Sequence, residues 1–484
     1  MHKNSFQLNI QELTMLSLQE KIRIVWELSV PGILAQISEI VMQYIDSAMV
    51  GSLGAAASAS IGLVASSTWL IGGLISAAAG GFNVQIAHAC GAGDGQRARR
   101  IMKCALLYSL IYSLILCAVA VLLSPMLPRW LGSSREVVSM AASYFGIYAV
   151  FIPVRQMYFL HTGALQCTGN MKTPGILSSL MCGFDVVFNY FLIFPTHKAA
   201  VGITMPGAGL GVAGAALGTA LSFAVTMMLS IICVWKKPPV LSVRYTEKRG
   251  KERSREQDRE RNREILKNAV RIGLPMALEQ TASCSAQVYT TGIVAPLGTN
   301  ALAANSFAVT AEALCYMPGY GIQGAATTLV GQAYGAKRED LVRSFGWLTT
   351  FMGMAIMSLG GLIMYFLCPY VFAFMTPVEE VRRLGAQVLR IELLAEPMFA
   401  ASIVAAGALR GVGDTLAPAL MSLISIWGVR VTLSLFLAPR IGLRGVWIAM
   451  CLELTFRGII FLIRLAKNRE FQKMESRESK SRRK

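Results

Sequence analysis

Charged residues are scarce in this sequence. Only 15% of its 484 residues are Asp, Glu, Lys or Arg, whereas 54% are hydrophobic, and the mean hydropathy is +0.52. Soluble globular domains carry about 25% charged residues. The composition therefore excludes a soluble protein and indicates a chain that crosses a membrane many times.

Residues that build common catalytic, metal and nucleotide sites are few or badly spaced. The four histidines form no HExxH motif, the ten cysteines form no CxxC pair, and no Walker A motif occurs. The glycine-rich GAGDG at residues 91–95 joins two apolar stretches without the strand that a phosphate loop requires. We therefore expect no enzyme activity, no ATP-driven pump, no cofactor and no structural metal, and we assign the histidines no role.

Basic residues outnumber acidic ones, which gives a net charge of +18. They cluster between and after the apolar segments, where they can contact anionic lipid headgroups and orient the chain. Nucleic acid is not an expected partner.

Apolar segments long enough to cross a bilayer recur twelve times. A span needs about 20 apolar residues, and the candidates lie near residues 26–50, 59–83, 99–124, 138–161, 174–194, 209–234, 268–294, 301–330, 342–368, 383–409, 416–438 and 443–465. The sequence predicts an all-α polytopic membrane protein with twelve transmembrane helices, in two pseudo-symmetric six-helix lobes around a central cavity.

A basic segment separates the two sets of six spans. We expect an N-lobe at residues 1–235, a cytoplasmic linker at 236–267, a C-lobe at 268–465 and a basic cytoplasmic tail at 466–484. Residues 236–267 contain 12 Lys/Arg against 6 Asp/Glu. By the positive-inside rule both termini are cytoplasmic, and in a bacterium the protein lies in the plasma or inner membrane.

An internal repeat relates the two halves at a constant separation of 244 residues. Matched pairs include Pro31 with Pro275, Gly54 with Gly298, Gly91 with Gly335, Pro153 with Pro397, Gly169 with Gly413 and Pro174 with Pro418. Past residue 200 the separation falls to 231, so the first half carries 13 extra residues in its PTHKAAVGITMPGAG loop. Six helices per repeat predict two parallel lobes that enclose a cavity.

A polar stripe runs along the first span. Its members recur at steps of three and four, which places them on one helix face: Gln36, Glu39, Gln43 and Asp46. The second copy has Gln280, Ser283, Gln287 and Thr290 at the equivalent positions. Acids at membrane depth are functional by default, although structural hydrogen bonding between helices is the alternative.

Polar residues on two other spans are further candidates. Asp185 and Asn189 lie four apart on the fifth span and offer oxygen ligands to a proton or a monovalent cation. Pro31 and Pro275 are expected to bend their helices, and Glu279, which lies close after Pro275 and next to Gln280, is expected in the cavity.

The remaining intramembrane charges are expected to be mainly structural. Glu392 and Glu396 form a like-charge pair that requires a neutral carboxyl or a cationic partner. Arg430 is the candidate partner, and Glu453 is placed in the same group.

The order of short motifs resembles the multidrug and toxic compound extrusion (MATE) family over nearly the whole chain. The motifs are Pro31 with Asp46, then VGSLG, AHACGAGD and QCTGNMKTP in the first half, and VGQAYGAKRED, ALRGVGDTLAP and IGLRGVWIA in the second. The resemblance implies a two-lobed antiporter that exports organic cations or other amphipathic drugs in exchange for H+ or Na+.

Within the family, the closest branch is expected to be the DinF-like one. There the first-helix aspartate, matched by Asp46, belongs to an N-lobe cation site, which would make Asp46, Asp185 and Asn189 the site for Na+ or H+. That branch has Asn before Asp in the fifth helix, whereas this chain has Asp185 before Asn189. Glu39 is outside the family pattern, so its coupling role is inferred from the stripe alone.

The predicted function is therefore a monomeric secondary antiporter that works by alternating access. Gln36, Gln43, Gln280, Gln287, Thr290 and Glu279 are its predicted cavity residues. The alternatives are a flippase for a lipid-linked precursor within the same superfamily, and, in other classes, a passive channel or a membrane-embedded enzyme.

Overall fold

A computed structural model describes residues 16–131, 134–198, 204–236 and 255–468. The first fifteen residues, residues 237–254 of the predicted linker and residues 469–484 of the predicted tail lie outside the described residues. The described elements are α1 (Leu18–Gly51), α2 (Ala55–Gly91), α3 (Gly95–Leu123), α4 (Leu127–Trp130), α5 (Arg135–Val150), α6 (Ile152–Cys167), α7 (Lys172–Ile193), β1 (Pro195–Lys198), β2 (Thr204–Ala208), α8 (Gly211–Lys236), α9 (Arg255–Val294), α10 (Thr299–Gly335), α11 (Glu339–Met375), α12 (Glu379–Glu392), α13 (Glu396–Gly411), α14 (Leu416–Leu423), a π-helix (Ile424–Val431), α15 (Thr432–Ile441) and α16 (Leu443–Lys467).

The prediction of an all-α membrane protein with twelve spans in two lobes is confirmed. Eight helical segments in the described ranges are long and apolar enough to cross a bilayer, and the bent pair α5–α6 makes nine. The three more polar segments are α9, α10 and the α12–α13 pair. Together they give six spans on each side of residues 237–254.

The internal repeat is visible in the backbone. Gly54 and Gly298, which follow the first and seventh spans, have φ angles of +115° and +105°. Gly169 and Gly413 share a φ of +86°. Because L-residues with a Cβ rarely adopt these left-handed angles, glycine is required at the same turn in both halves.

Two spans that were predicted to be continuous are broken at equivalent places. In the fourth span, α5 ends at Val150 and α6 starts at Ile152 with a bend of 49°. In the tenth span, a short 3-10 turn at Leu393–Ala395 separates α12 from α13. Pro153 and Pro397 follow the breaks, and proline has no N–H to continue the helical ladder.

The extra residues of the first half form a β-hairpin that the sequence reading did not predict. β1 pairs antiparallel with β2, with Pro195 opposite Ala208 and Lys198 opposite Thr204. This hairpin lies between α7 and α8, where the repeat separation changes from 244 to 231.

The lobes meet chiefly through two equivalent helix pairs, α1 with α10 and α9 with α2, and α2 also packs against α10. Small residues let the backbones approach closely, as at Gly32, where an added Cβ would lie 2.7 Å from the carbonyl oxygen of Gly321. The first turns of α1 pack into the C-lobe core through Ile24, Val25 and Leu28. Pro31 and Pro275 both lie inside unbroken helices.

Candidate functional site

The N-lobe contains an amide that bridges two carboxylates. The Asn189 side-chain nitrogen donates to Asp46 Oδ1 at 2.7 Å and to Asp185 Oδ2 at 3.0 Å. Asp46 comes from α1 and the other two from α7, and Asp185 and Asn189 are fully buried. The three residues that the sequence proposed as a cation site therefore lie in direct contact.

This cluster has unused oxygen atoms. Asp185 Oδ1 and Asn189 Oδ1 are buried and accept no hydrogen bond from the described residues. Two carboxylates on one amide repel each other when both are ionised, and a buried charge without a partner is unfavourable. A proton or one monovalent cation between them would relieve both problems. Among the described residues, no cluster of three or more His, Cys, Asp or Glu is arranged to hold a metal ion.

Glu39 does not join this cluster. It is half-buried and makes no hydrogen bond to the described residues, and it interacts electrostatically with Arg155 on α6. The Arg155 guanidinium lies 4.7 Å from the ring centre of Tyr148 and 4.4 Å from that of Phe223. Sequence reasoning missed Arg155, although a lone arginine two residues after Pro153 in an apolar span was a usable signal.

A cavity of about 750 Å³ lies between the two lobes. Five of the six residues that were predicted to line the cavity do so: Gln43, Gln280, Gln287, Thr290 and Glu279. Its walls also carry many aromatic rings: Tyr44, Trp69, Tyr316, Tyr320, Phe399 and Trp447. Such a mixture of aromatic surface with a few polar groups is typical of sites for small organic ligands.

Gln36 does not line the cavity, contrary to expectation. It lies about two helical turns before Gln43, in the part of α1 where Gly32 packs against Gly321 of α10 and closes the space between the lobes. The four proposed coupling residues are likewise absent from the cavity lining in the described chain: Glu39, Asp46, Asp185 and Asn189.

The C-lobe wall of the cavity carries ion pairs. Glu279 accepts from Arg410 at 2.8 Å and from the Ser422 hydroxyl at 2.9 Å, so its charge is already paired. Arg430 donates to Glu453 at 2.7 Å, and Arg457 Nε lies 3.1 Å from the other oxygen of the same carboxylate. Glu453 itself is fully buried.

The expected pairing of Arg430 with Glu392 or Glu396 is wrong. Arg430 lies in the π-helix next to α16, which supplies Glu453, and pairs there. Glu392 and Glu396 are fully buried, and none of their four carboxyl oxygens accepts a hydrogen bond from the described residues. Because an ionised carboxylate without a partner is very unfavourable in such surroundings, burial favours the neutral form of both acids.

The sequence pattern of the MatE family matches this chain twice, at residues 31–191 and 275–436. The two matches begin 244 residues apart, which is the separation of the internal repeat. The chain belongs to the MatE family. The narrower assignment to a DinF-like branch stays a prediction.

Relatives of this MatE chain match three quarters of its length or more. A Thermotoga maritima protein named probable multidrug resistance protein NorM is 24% identical over 442 residues, which cover 90% of each chain. A Bacillus subtilis protein named probable multidrug resistance protein YoeA is 22% identical over 374 residues, or 76% of each chain.

Solved structures confirm the fold of this MatE protein. One, described as the outward-facing conformation of a multidrug resistance MATE family transporter, aligns with a TM-score of 0.83 at 20% identity and covers 96% of this chain and 99% of that one. Another, a transporter from Pyrococcus furiosus whose binding pocket is described as having reverse polarity, gives the same TM-score and identity and covers 96% and 100%. The chain is thus a multi-pass membrane transporter and not an enzyme.

The end of the MatE bundle away from the cavity is sealed by two equivalent hydrogen bonds. His88 Nε2 lies 2.7 Å from the carbonyl oxygen of Gly411, and Gln332 Nε2 donates to the carbonyl oxygen of Cys167 at 2.7 Å. Gln332 lies 244 residues after His88, and Gly411 lies 244 residues after Cys167, so the two bonds are related by the internal repeat. Each bond crosses between lobes.

These bonds act as helix caps supplied by the opposite lobe. Cys167 and Gly411 are the last residues of α6 and α13, where backbone carbonyls lack a partner within the helix. His88 and Gln332 supply those missing donors. We call this pair of bonds the crossed caps; sequence reasoning had assigned His88 no role.

Proposed function

We propose that the protein is a secondary antiporter that exports amphipathic drugs, organic cations among them, in exchange for H+ or Na+ by alternating access. The observation that carries the proposal is the Asn189 amide between Asp46 and Asp185. The names of the multidrug resistance relatives support the substrate class.

The buried cluster suits a single monovalent cation. Two carboxylates and the free amide oxygen offer hard oxygen ligands, and binding of one positive charge offsets the repulsion between Asp46 and Asp185. H+ and Na+ both fit this chemistry, and neither needs a cofactor.

The cluster residues are not among those that line the cavity, so an ion bound in the cluster does not take up the space of a drug bound in the cavity. Coupling then requires that the ion and the drug prefer different conformations of the protein. The crossed caps close one end of the bundle while the cavity lies toward the other end. Rocking of the lobes about the α1–α10 and α2–α9 contacts would exchange the open and closed ends.

The orientation follows from charge. We place both termini, the linker at 236–267 and the tail at 466–484 in the cytoplasm, with the N-lobe at 1–235 and the C-lobe at 268–465 in the plasma or inner membrane. The part of the linker from Arg255 onward continues directly into α9. In this orientation the crossed caps are at the cytoplasmic end, and the cavity opens toward the outside.

The decisive experiment imposes the two ion gradients separately. Purified protein in liposomes is given a Na+ gradient or a pH gradient, and movement of a fluorescent organic cation is followed. One of the gradients should drive the cation uphill, and Asp46→Asn and Asp185→Asn should lower that rate by about tenfold or more.

The matched control is Glu27→Gln, which removes a carboxylate from the same helix α1 at an exposed pair with Arg23. It should transport like the wild type. If both aspartate variants also transport like the wild type, the proposed cation site is wrong. Passive equilibration without uphill movement would indicate a channel, and movement of a lipid-linked pyrophosphate instead of the dye would indicate a flippase.

A further inference from the structure

We infer that the outer end of the C-lobe binds an anionic phospholipid, whose phosphate is held on the bilayer-facing side of α12 by arginines of α12 and α16. The site consists of Arg383, Gln387 and Arg390 on α12 and Arg444 on α16, and we call it the arginine face. Its place at the outer end follows from the proposed orientation, whereas lipid binding does not depend on the proposed antiport.

The polar residues of α12 lie on one face of the helix. Arg383, Gln387 and Arg390 recur at steps of four and three, which places them in a row along the helix. No residue of α12 lines the central cavity in the described chain. The opposite side of α12 is buried in the C-lobe, through Val381, Gly385, Ala386, Val388, Leu389 and Glu392. The row of polar residues therefore faces the bilayer.

Arg390 is held in place by a gap in the hydrogen bonding of α11. Pro369 lies inside α11 and has no N–H, so it cannot donate to the backbone carbonyl of Tyr365 four residues earlier. Arg390 Nε donates to this carbonyl at 3.1 Å, and the guanidinium lies 5.1 Å from the centre of the Tyr365 ring. The two terminal amino groups of Arg390 make no hydrogen bond to the described residues. They are therefore fixed in position and available as paired donors to phosphate oxygens.

Arg444 approaches the same row from α16. Its Nη2 donates to Gln387 Oε1 at 2.6 Å. Gln387 lies three residues before Arg390, which is about 4.5 Å along the helix axis. The guanidinium groups of Arg390 and Arg444 are thus directed to neighbouring positions on the surface of α12.

The arginine face has no compensating carboxylate, because none of its three arginines forms an ion pair with the described residues. The acids in the first turn of α12 have other partners. Glu379 Oε2 lies 3.5 Å from Arg382 Nη1, and Glu380 accepts a hydrogen bond from Asn300 at 2.6 Å. Glu392 is buried on the opposite side of the helix. An anionic phosphate would supply the missing negative charge.

Apolar side chains continue the face toward the middle of the bilayer. Leu394 follows Arg390 by four residues and is 72% exposed, and Leu362 precedes Tyr365 by three residues and is 56% exposed. Because α11 runs toward the outer end and α12 runs away from it, both leucines lie deeper than Arg390. This order of charged and apolar surface matches the headgroup and acyl chains of one lipid, whereas free phosphate would use only the charged part.

The N-lobe lacks this arrangement, although its helices follow the same repeat. With separations of 244 residues for α12 and 231 for α16, the equivalent positions hold Ser139, Ser143, Gly146 and Ala213. Arginines at the outer ends of spans also run against the positive-inside rule, which concentrates Lys and Arg on the cytoplasmic side. A role in packing the repeat would be expected in both lobes, so their presence in the C-lobe alone favours recognition of a ligand.

Native mass spectrometry tests the site by counting bound lipids. Purified full-length protein in detergent is mixed with equal amounts of phosphatidylglycerol and phosphatidylcholine that have the same acyl chains. Both headgroups contain a phosphate, but choline neutralises the charge in the second. We expect the wild type to retain phosphatidylglycerol over phosphatidylcholine by at least about tenfold.

Arg390→Gln and Arg444→Gln should each lower this preference about fivefold, which is the contribution of one arginine near an anionic lipid surface. Arg390→Lys should keep more of it than Arg390→Gln, because lysine still binds phosphate as a point charge. The matched control is Arg135→Gln. It removes an exposed arginine, with the same change in charge, from α5, the N-lobe counterpart of α12, and should leave the preference unchanged.

Melting temperatures without added lipid separate folding from binding. Loss of the contact between Arg390 and the Tyr365 carbonyl can destabilise the C-lobe, whereas Arg444 is exposed and its variant should melt like the wild type. The Arg444→Gln result therefore decides the inference even if Arg390→Gln does not fold.

Three outcomes would refute the lipid site: equal retention of the two lipids by the wild type, an unchanged preference in Arg444→Gln, or an equal loss in Arg135→Gln. A titration with inorganic phosphate at matched ionic strength distinguishes the two sources of the anion. If it displaces the retained phosphatidylglycerol, the face binds free phosphate and the lipid is the wrong occupant. No ion gradient is applied, so these results do not depend on whether the proposed antiport is correct.

Discussion

Removal of the crossed caps should open the sealed end of the bundle. His88→Phe keeps a ring next to Tyr334, and Gln332→Met keeps the side-chain length, but each variant loses its donor to the opposite lobe. A typical hydrogen bond contributes about 0.5–1.5 kcal/mol net. The double variant should therefore favour the open end by about 1–3 kcal/mol, or about 5- to 150-fold in population.

The native thiol at Cys167 reports this opening. It is only 5% exposed, and its carbonyl accepts the Gln332 bond, so it becomes reachable when the lobes separate there. Purified protein is treated with N-ethylmaleimide, and labelling at each cysteine is followed by peptide mass spectrometry. The labelling rate at Cys167 should rise with the open population, by about 5- to 150-fold in the double variant.

Two controls separate opening from general loosening. Cys368 is fully buried inside the C-lobe core and should label no faster than in the wild type. Gln323→Met removes a 2.8 Å bond from the same helix α10 to Ile403, but within one lobe, and should not affect Cys167. The explanation fails if Cys167 labels at the wild-type rate in the double variant, or if Cys368 accelerates equally.

Close backbone approaches allow two more tests. Gly32→Ala places a Cβ 2.7 Å from the Gly321 oxygen and should cost about 1–3 kcal/mol, measured as a lower melting temperature in detergent. Gly218→Ala places a Cβ against the Asn189 amide and should reduce ion-driven transport without changing any charge. Gly72→Ala is the control for both variants, because its Cβ meets nothing within 4 Å. If either variant behaves like this control, the packing argument is wrong.

The fold was predictable because the two halves of the sequence repeat the same pattern of apolar spans, glycines and prolines. Apolar length identified the spans, and matched glycines and prolines 244 residues apart fixed the pairing of the halves. Helical spacing placed Asp185 and Asn189 on one face, the family resemblance grouped Asp46 with them, and the structure brings Asp46 within hydrogen-bond distance of Asn189. Patterns of this kind depend on local spacing, which a sequence records directly.

The partners of charged groups could not be predicted in the same way. Arg430 could reach several acids by sequence alone, and only the packing of the π-helix on α16 selects Glu453. His88 gave no signal because its acceptor is a backbone carbonyl 323 residues away. Long-range pairs of this type depend on how helices cross, which the periodicity of a single helix does not encode.

In the proposed antiport, the position of the N-lobe cluster outside the cavity lining also bears on how tightly ion and drug movements are coupled. No residue of the Asp46–Asn189–Asp185 group lines the cavity in the described chain, so the two sites can be filled independently of each other. The exchange ratio is then set by how rarely the doubly occupied and doubly empty forms change conformation. Each conformational change of those two forms uncouples ion movement from drug movement. Mutations that make these changes easier should therefore dissipate the ion gradient while drug export stops.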